Sequence, residues 1–222
     1  MNKEQFTNIR AVIFDMDGLM IDSEPFHCQA FDKVFREFGR ELTEEENLKY
    51  VGIADKDATK DMIERFKLPI SAEDLANRKQ KAYLEYLQEI VAQPGLQELL
   101  ESLQNAGYKK AIASSSMLSE IEAVMNALTI RQYFETYCSA QQVEHGKPAP
   151  DVFLFAAEQL GIPAEQCLVL EDAPSGIMAA RAAGMLSIAI PSRETMEKDF
   201  SGATVRLASL SEVFEYLPQS LI

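Results

Sequence analysis

The sequence predicts an α/β protein in which a parallel sheet carries helices on both faces and an all-helical domain is inserted after the first strand. Two observations support this prediction. Strand-like and helix-like patterns alternate from Pro94 onward, whereas residues 22–93 show helical spacing alone. We therefore expect one domain from residues 1–21 and 94–222 and a second domain from residues 22–93. Strands joined by helical crossovers pair in parallel, so the sheet should be buried on both faces.

The first predicted strand leads directly into acidic residues. The apolar run AVIF at positions 11–14 is followed by Asp15, Met16, Asp17 and Gly18. Two carboxylates at the end of a buried strand are costly, because burial disfavours the charged form and like charges repel. The pattern therefore indicates a functional site.

The inserted segment has the apolar spacing of helices. Apolar side chains recur every four residues between 26 and 38, and further helices are predicted at 55–67 and 72–91. Ser23 is a suitable N-cap for the first of these helices, and Pro25 is tolerated in its first turn. No strand-like run interrupts the stretch, so we expect a compact helical bundle.

Strands and helices alternate in the rest of the chain. The predicted order is a helix closed by Gly107, a strand at 108–114, a helix at 117–127, a strand at 136–140, a helix at 149–161, a strand at 167–171, a helix at 175–183, a strand at 186–190 and a last helix near 209–217. In such sheets, ligands bind at the carboxyl ends of the strands. Polar turns follow three of the strands, which predicts that these turns converge on one site.

The composition excludes several classes of function. With 21 basic against 35 acidic residues, the formal charge is −14, which argues against nucleic acid as a partner. No apolar run approaches the roughly 20 residues of a membrane span, and the first residues lack the apolar core of a signal peptide. We expect a cytoplasmic monomer with no membrane partner. Cys28, Cys138 and Cys167 lie far apart and are expected to be buried, reduced thiols.

The acidic residues at the strand ends suit a divalent cation. The four carboxylates belong to Asp15, Asp17, Glu171 and Asp172. Gathered at one edge of a sheet, they would repel one another and destabilise the fold. A hard cation with oxygen ligands removes this repulsion, and Mg²⁺ suits a site of few carboxylates completed by water. We therefore predict Mg²⁺ as a cofactor, with Asp17 contributing its backbone carbonyl.

One cation does not explain the lysine and hydroxyl groups predicted at the same edge. Lys147, Ser114 and Ser115 are partners that a bound phosphate needs, and the run Ser114 to Ser116 precedes a helix N-terminus. With phosphate present, Asp15 is the expected nucleophile at phosphorus. Asp17 is expected to protonate the leaving oxygen and then to activate water. We therefore predict a small phosphorylated metabolite as the substrate.

These motifs resemble the haloacid dehalogenase superfamily of aspartyl phosphotransferases, in the branch of β-phosphoglucomutase-like proteins and small-metabolite phosphatases. The segments DMDGLMIDSEP, IASSS, HGKPAPDVF and LEDAPSGIMAARAAGM stand in the family's order, and the resemblance covers nearly the whole chain. It implies a Rossmann-like core, a helical cap domain and phosphate transfer through an aspartyl-phosphate. It assigns the family's site roles to matching positions, namely the phosphorylated Asp15, the acid/base Asp17, the phosphate-binding Ser114 and Lys147, and the metal-binding Glu171 and Asp172.

The resemblance also suggests substrate contacts from the cap domain. His27 and Lys79 are similar to cap residues of β-phosphoglucomutases that face the substrate, and Glu24 is a further candidate. The cap arginine with which those enzymes bind a second phosphate is matched here by Asp55, which would repel one. This difference favours a hydrolase over a phosphosugar mutase, which remains an alternative.

Two other classes of function stay open at this point. A 2-haloacid dehalogenase is similar in fold but needs neither Mg²⁺ nor an acid at the position of Asp17. A non-catalytic phospho-acceptor module also uses acids, a hydroxyl and a lysine, but it lacks a general acid beside the acceptor and is far shorter. Release of phosphate that depends on Mg²⁺ distinguishes these classes.

Overall fold

The computed structural model describes residues 3–50 and 55–219, with the side chains of 44, 48 and 55–57 outside that description. The chain divides into two compact units. The larger unit consists of Met1–Asp22 and Val91–Ile222, and the smaller one of Ser23–Ile90.

The larger unit is built on a parallel sheet, as the sequence predicts. Among the described residues this sheet has six strands in the order β3-β2-β1-β4-β5-β6, each paired in parallel with its neighbours. The strands are β1 (Ala11–Phe14), β2 (Lys109–Ser114), β3 (Thr136–Ser139), β4 (Cys167–Glu171), β5 (Leu186–Ala189) and β6 (Val205–Arg206). Strand β1 lies near the centre of the sheet, and its four apolar side chains are fully buried, as expected for a strand covered on both faces.

The strand register brings the acidic turns to the same level. Phe14 at the end of β1 pairs with Ile112 of β2 and with Leu170 of β4. The backbone N–H of Asp15 donates to the carbonyl of Leu170 at 3.0 Å, which extends this pairing by one residue. Asp15 therefore lies level with Glu171 at the carboxyl edge of the sheet.

Helices make up the smaller unit and flank the sheet in the larger one. The smaller unit contains α1 (Glu24–Glu37), α2 (Glu44–Leu48), α3 (Asp55–Phe66) and α4 (Ala72–Tyr86), and the larger unit contains α5 (Leu96–Ala106), α6 (Leu118–Ala127), α7 (Asp151–Leu160) and α8 (Pro174–Ala182). Within the smaller unit, α1, α3 and α4 share an apolar core. Within the larger one, α7 and α8 pack against β1 and β4. In the described ranges, no helix has the length and apolar character that crossing a membrane requires.

Several local predictions from the sequence are wrong. Helix α4 stops at Tyr86, before a short 3-10 turn, instead of reaching residue 91, whereas the last predicted helix is present as a 3-10 helix, Leu210–Tyr216. Ser23 precedes α1 without a capping hydrogen bond from its side chain, because its backbone is in the helical region (φ −91°, ψ −17°) rather than extended. Of the three free cysteines, Cys28 is only partly buried.

Candidate active site

Three buried carboxylates meet at the carboxyl edge of the sheet. Asp15 follows β1, while Glu171 and Asp172 end and follow β4. One carboxylate oxygen of each lies within 4.8 Å of the others. All three residues are almost inaccessible, with exposed fractions of 6%, 1% and 6% in that order. The structure thus places the predicted nucleophile beside the predicted metal-binding acids.

A buried lysine lies among these carboxylates. Nζ of Lys147 forms ion pairs with Asp15 and, at 2.8 Å, with Glu171 Oε1, and it also donates to the carbonyl of Ala113 at 3.1 Å. Burial alone would lower the pKa of this lysine, but the two carboxylates outweigh burial and hold its pKa above the usual value. Lys147 is therefore a permanent cation at the site.

The lysine does not fully compensate the acidic residues. Burial raises the pKa of Asp15 well above its usual value, with Lys147 opposing and the neighbouring carboxylates reinforcing the change. Burial and Glu171 raise the pKa of Asp172 to about 7, although a hydrogen bond from Ser192 opposes the change. A buried oxygen cluster that is short of positive charge is the donor set that Mg²⁺ prefers, so these residues fit the predicted metal.

Two glycines make room for the acidic side chains. A Cβ atom at Gly18 would lie 2.2 Å from Asp172 Oδ2, and the φ of +82° at this position also favours glycine. A Cβ atom at Gly176, in α8, would lie 1.7 Å from Glu171 Oε1. Both carboxylates therefore lie where only a glycine backbone can approach them.

The serine-rich turn after β2 contacts the second aspartate. The hydroxyl of Ser116 donates to Asp17 Oδ2 at 2.5 Å, and the Ser116 N–H donates to Ser114 Oγ at 3.0 Å. Ser114 is buried, whereas Ser115 is exposed. The sequence indicated the turn but not the part played by Ser116, for which its place in the run SSS was the only signal.

The remaining predicted substrate residues lie in the smaller unit. The ring of His27 stacks on Tyr83, with the centroids 4.0 Å apart. Lys79 is fully buried, and its Nζ lies 4.9 Å from the centroid of the same tyrosine ring. Glu24 begins α1 and is half-buried. The structure thus brings His27 and Lys79 to one aromatic side chain.

A parallel α/β sheet that gathers buried acids, a lysine and hydroxyl groups at its carboxyl edge is the framework of an enzyme. Residues 12–190 match the sequence model of the haloacid dehalogenase-like hydrolases, and the chain belongs to this family. The resemblance drawn from the motifs is therefore confirmed.

Relatives in this family include phosphatases. The chain is 32% identical over 181 residues to the phosphorylated carbohydrates phosphatase of Thermotoga maritima, covering 80% of this chain and 82% of that one. It is 34% identical over 174 residues to the fructose-1-phosphate phosphatase YqaB of Escherichia coli, covering 78% and 92%. A crystal structure of CbbY from Rhodobacter sphaeroides in complex with phosphate superposes with a TM-score of 0.83 at 28% identity, over 92% of this chain and 96% of that one. The protein is thus an enzyme of the phosphatase type, as predicted.

Proposed function

We propose that this enzyme is a Mg²⁺-dependent phosphatase that hydrolyses a small phosphomonoester, a sugar or nucleoside phosphate, through an aspartyl-phosphate on Asp15. The observation that carries the proposal is the ion pair of buried Lys147 with Asp15, beside a cluster of carboxylates suited to a cation. The phosphatases among the relatives support the substrate class.

In this proposal, Mg²⁺ would be held by carboxylate oxygens of Asp15, Glu171 and Asp172 and by the backbone carbonyl of Asp17. When bound, the cation would screen the repulsion between the Asp15 carboxylate and the phosphate. Glu171 has a second role, because its Oε1 accepts from Lys147 and its Oε2 accepts from the N–H of Ala173 at 2.8 Å. Glu171 therefore also holds the lysine in place.

The proposed chemistry gives each of these protein groups one role. Ser114, Ser115 and Lys147 bind the phosphate, and an oxygen of Asp15 attacks phosphorus while the ester P–O bond breaks. Asp17 gives a proton to the leaving oxygen, and afterwards takes one from the water that attacks the aspartyl-phosphate. The products are an alcohol and inorganic phosphate.

Substrate selection is assigned to the cap domain, residues 22–93 in the division expected from the sequence. Glu24, His27 and Lys79 are the proposed contacts. The side chain of Asp55, which argues against a second phosphate on the substrate, lies outside the described residues. A phosphosugar mutase is thus the alternative that the experiment has to distinguish from a phosphatase.

The test is a panel of phosphomonoesters assayed for released phosphate with and without Mg²⁺. The variant Asp15→Asn keeps the shape of the side chain but loses its nucleophilicity, so we expect no turnover and an unchanged fold. A matched control is Asp199→Asn, because Asp199 is an exposed aspartate whose carboxylate accepts hydrogen bonds from the N–H and hydroxyl of Ser201. Trapping with hydroxylamine should detect a phosphorylated aspartate in the wild type and not in Asp15→Asn.

Two results would contradict the proposal. Substantial turnover by Asp15→Asn would remove Asp15 as the nucleophile. Clean interconversion of β-glucose 1-phosphate and glucose 6-phosphate, with little phosphate released, would identify a mutase. As a companion, Asp55→Arg should improve the binding of bisphosphates and change that of monophosphates little.

A further inference from the structure

A side-chain hydrogen bond joins the loop after β2 to the loop after β1. The hydroxyl of Ser116 donates to Oδ2 of Asp17 at 2.5 Å, and the two residues are 99 positions apart in the chain. Asp17 itself is half-buried. We infer that Ser116 is a positioning residue, which holds Asp17 so that its other oxygen, Oδ1, exchanges the proton with the substrate. This inference rests on the proposed function and deepens it.

The backbone around Ser116 is fixed by other contacts. Its N–H donates to Ser114 Oγ at 3.0 Å, and its carbonyl accepts from the hydroxyl of Ser139 at 2.6 Å. Ser139 is fully buried at the end of β3. The next N–H, that of Met117, donates to Glu120 Oε2 at 2.8 Å as α6 begins. The Ser116 hydroxyl is therefore presented from a rigid turn and is not needed to hold that turn.

This geometry distinguishes the two oxygens of Asp17. Oδ2 has one lone pair engaged in the hydrogen bond from Ser116, so we assign the transferred proton to Oδ1. In the first step, an Asp15 oxygen bonds to phosphorus, the ester P–O bond breaks, and the proton on Asp17 Oδ1 moves to the leaving oxygen. In the second step, Oδ1 takes a proton from water as the water oxygen bonds to phosphorus and the bond to Asp15 breaks.

Loss of the Ser116 hydroxyl should therefore misalign the carboxyl group of Asp17 without removing it. A displacement of about 1 Å in a reacting group can cost on the order of 10²-fold in rate, and general acid catalysis supplies about 10²–10⁴-fold. An alkyl phosphate needs this acid, because an alkoxide is a poor leaving group. An aryl phosphate such as p-nitrophenyl phosphate does not, because its phenolate leaves as a stable anion. The rate of the first step should therefore depend on the position of Asp17 for an alkyl ester but not for an aryl ester.

The experiment compares Ser116→Ala, Ser116→Thr and the wild type with Mg²⁺ present, on p-nitrophenyl phosphate and on the best alkyl phosphate of the panel. The matched control is Ser119→Ala, which removes an exposed hydroxyl from α6, the helix that begins two residues after Ser116. For Ser116→Ala we expect kcat/KM to fall about 10–100-fold on the alkyl ester and less than about 3-fold on the aryl ester. The kcat for the aryl ester should also fall, because Asp17 still has to activate water. Ser116→Thr should restore most of the alkyl activity.

Each outcome decides the inference. Equal losses on both esters, or no loss on either, would overturn it, as would a Ser119→Ala variant that matches Ser116→Ala. If Ser116→Ala does not fold, Ser116→Cys, which keeps the size but donates only weakly, serves for the same comparison. A wild type without Mg²⁺-dependent phosphatase activity would instead refute the proposed function. The two failures are therefore distinguishable.

Discussion

Replacing Gly176 with alanine should destabilise this protein, although in an ordinary helix the same change is favourable. Alanine is preferred to glycine inside helices by up to about 1 kcal/mol. Gly176 lies in the first turn of α8, and its φ is not in the left-handed region, so its backbone would accept alanine. Any loss of stability must therefore come from what the added methyl group meets.

The methyl group meets the side chain of Glu171. The added Cβ would lie 1.7 Å from its Oε1 and 2.0 Å from its Cδ, so the carboxylate has to move. In its present position, the carboxylate accepts from Lys147 Nζ and from the N–H of Ala173, each at 2.8 Å. Hydrogen bonds to charged groups contribute about 1.5–3 kcal/mol each, so losing one or both outweighs the gain in helix propensity. We expect the free energy of unfolding to fall by about 2–4 kcal/mol.

Urea unfolding followed by circular dichroism measures this difference. The matched control is Gly202→Ala, where an added Cβ would only meet Ile177 Cγ2 at an ordinary 3.5 Å, and we expect its effect to stay within about 0.5 kcal/mol. Phosphatase activity should fall with stability in Gly176→Ala, because Lys147 loses one of its two acidic partners. A Gly176→Ala protein as stable as the wild type would refute the reasoning.

Two further predictions concern the metal and the thiols. Mg²⁺ should raise the Tm of the wild type, since a ligand that binds only the folded state stabilises it by about 2.7 kcal/mol at a hundred times its Kd. In differential scanning fluorimetry, this rise in Tm should be smaller in Asp172→Ala and unchanged in the control Asp199→Ala. A Tm that does not change at Mg²⁺ concentrations that saturate the activity would contradict the metal site. At pH 8, a thiol reagent should modify Cys28 first, because burial raises the pKa of Cys138 to about 11 and that of Cys167 to about 12. Mass spectrometry counts the modified thiols in the folded and in the unfolded protein. Equal rates of modification of the three cysteines in the folded protein would contradict this prediction.

The central strands could be predicted because their signals are local. The runs AVIF and CLVLE are apolar throughout and end in acids, and both are strands in the structure. Strand β6 is different, since it has two residues, Val205 and Arg206, and depends on pairing with β5. Two residues carry no alternation that sequence analysis could detect. Ser23 shows the same limit, because a suitable residue type forms a capping hydrogen bond only when its backbone angles also allow one.

The site was predictable to the extent that topology determines it. Parallel strands end at one edge, so a strand ending in Asp15 and one ending in Glu171 can be expected to meet. The hydrogen bond from Ser116 to Asp17 joins distant positions through the shapes of two loops, which the sequence does not encode in any short pattern. The fit of Gly176 against Glu171 likewise depends on a rotamer.

The charges at the sheet edge explain why this arrangement suits a phosphatase. With Asp15, Glu171 and Asp172 ionised and Lys147 protonated, the buried cluster carries a net charge of −2. Such a deficit destabilises the fold by itself, since a buried charge without a partner is costly. A divalent cation brings the sum to zero, and only then can a phosphate dianion approach the Asp15 carboxylate without strong repulsion. Under the proposed function, the acids that repel one another at this edge of the sheet would also make substrate binding depend on the metal, so stability would be exchanged for function.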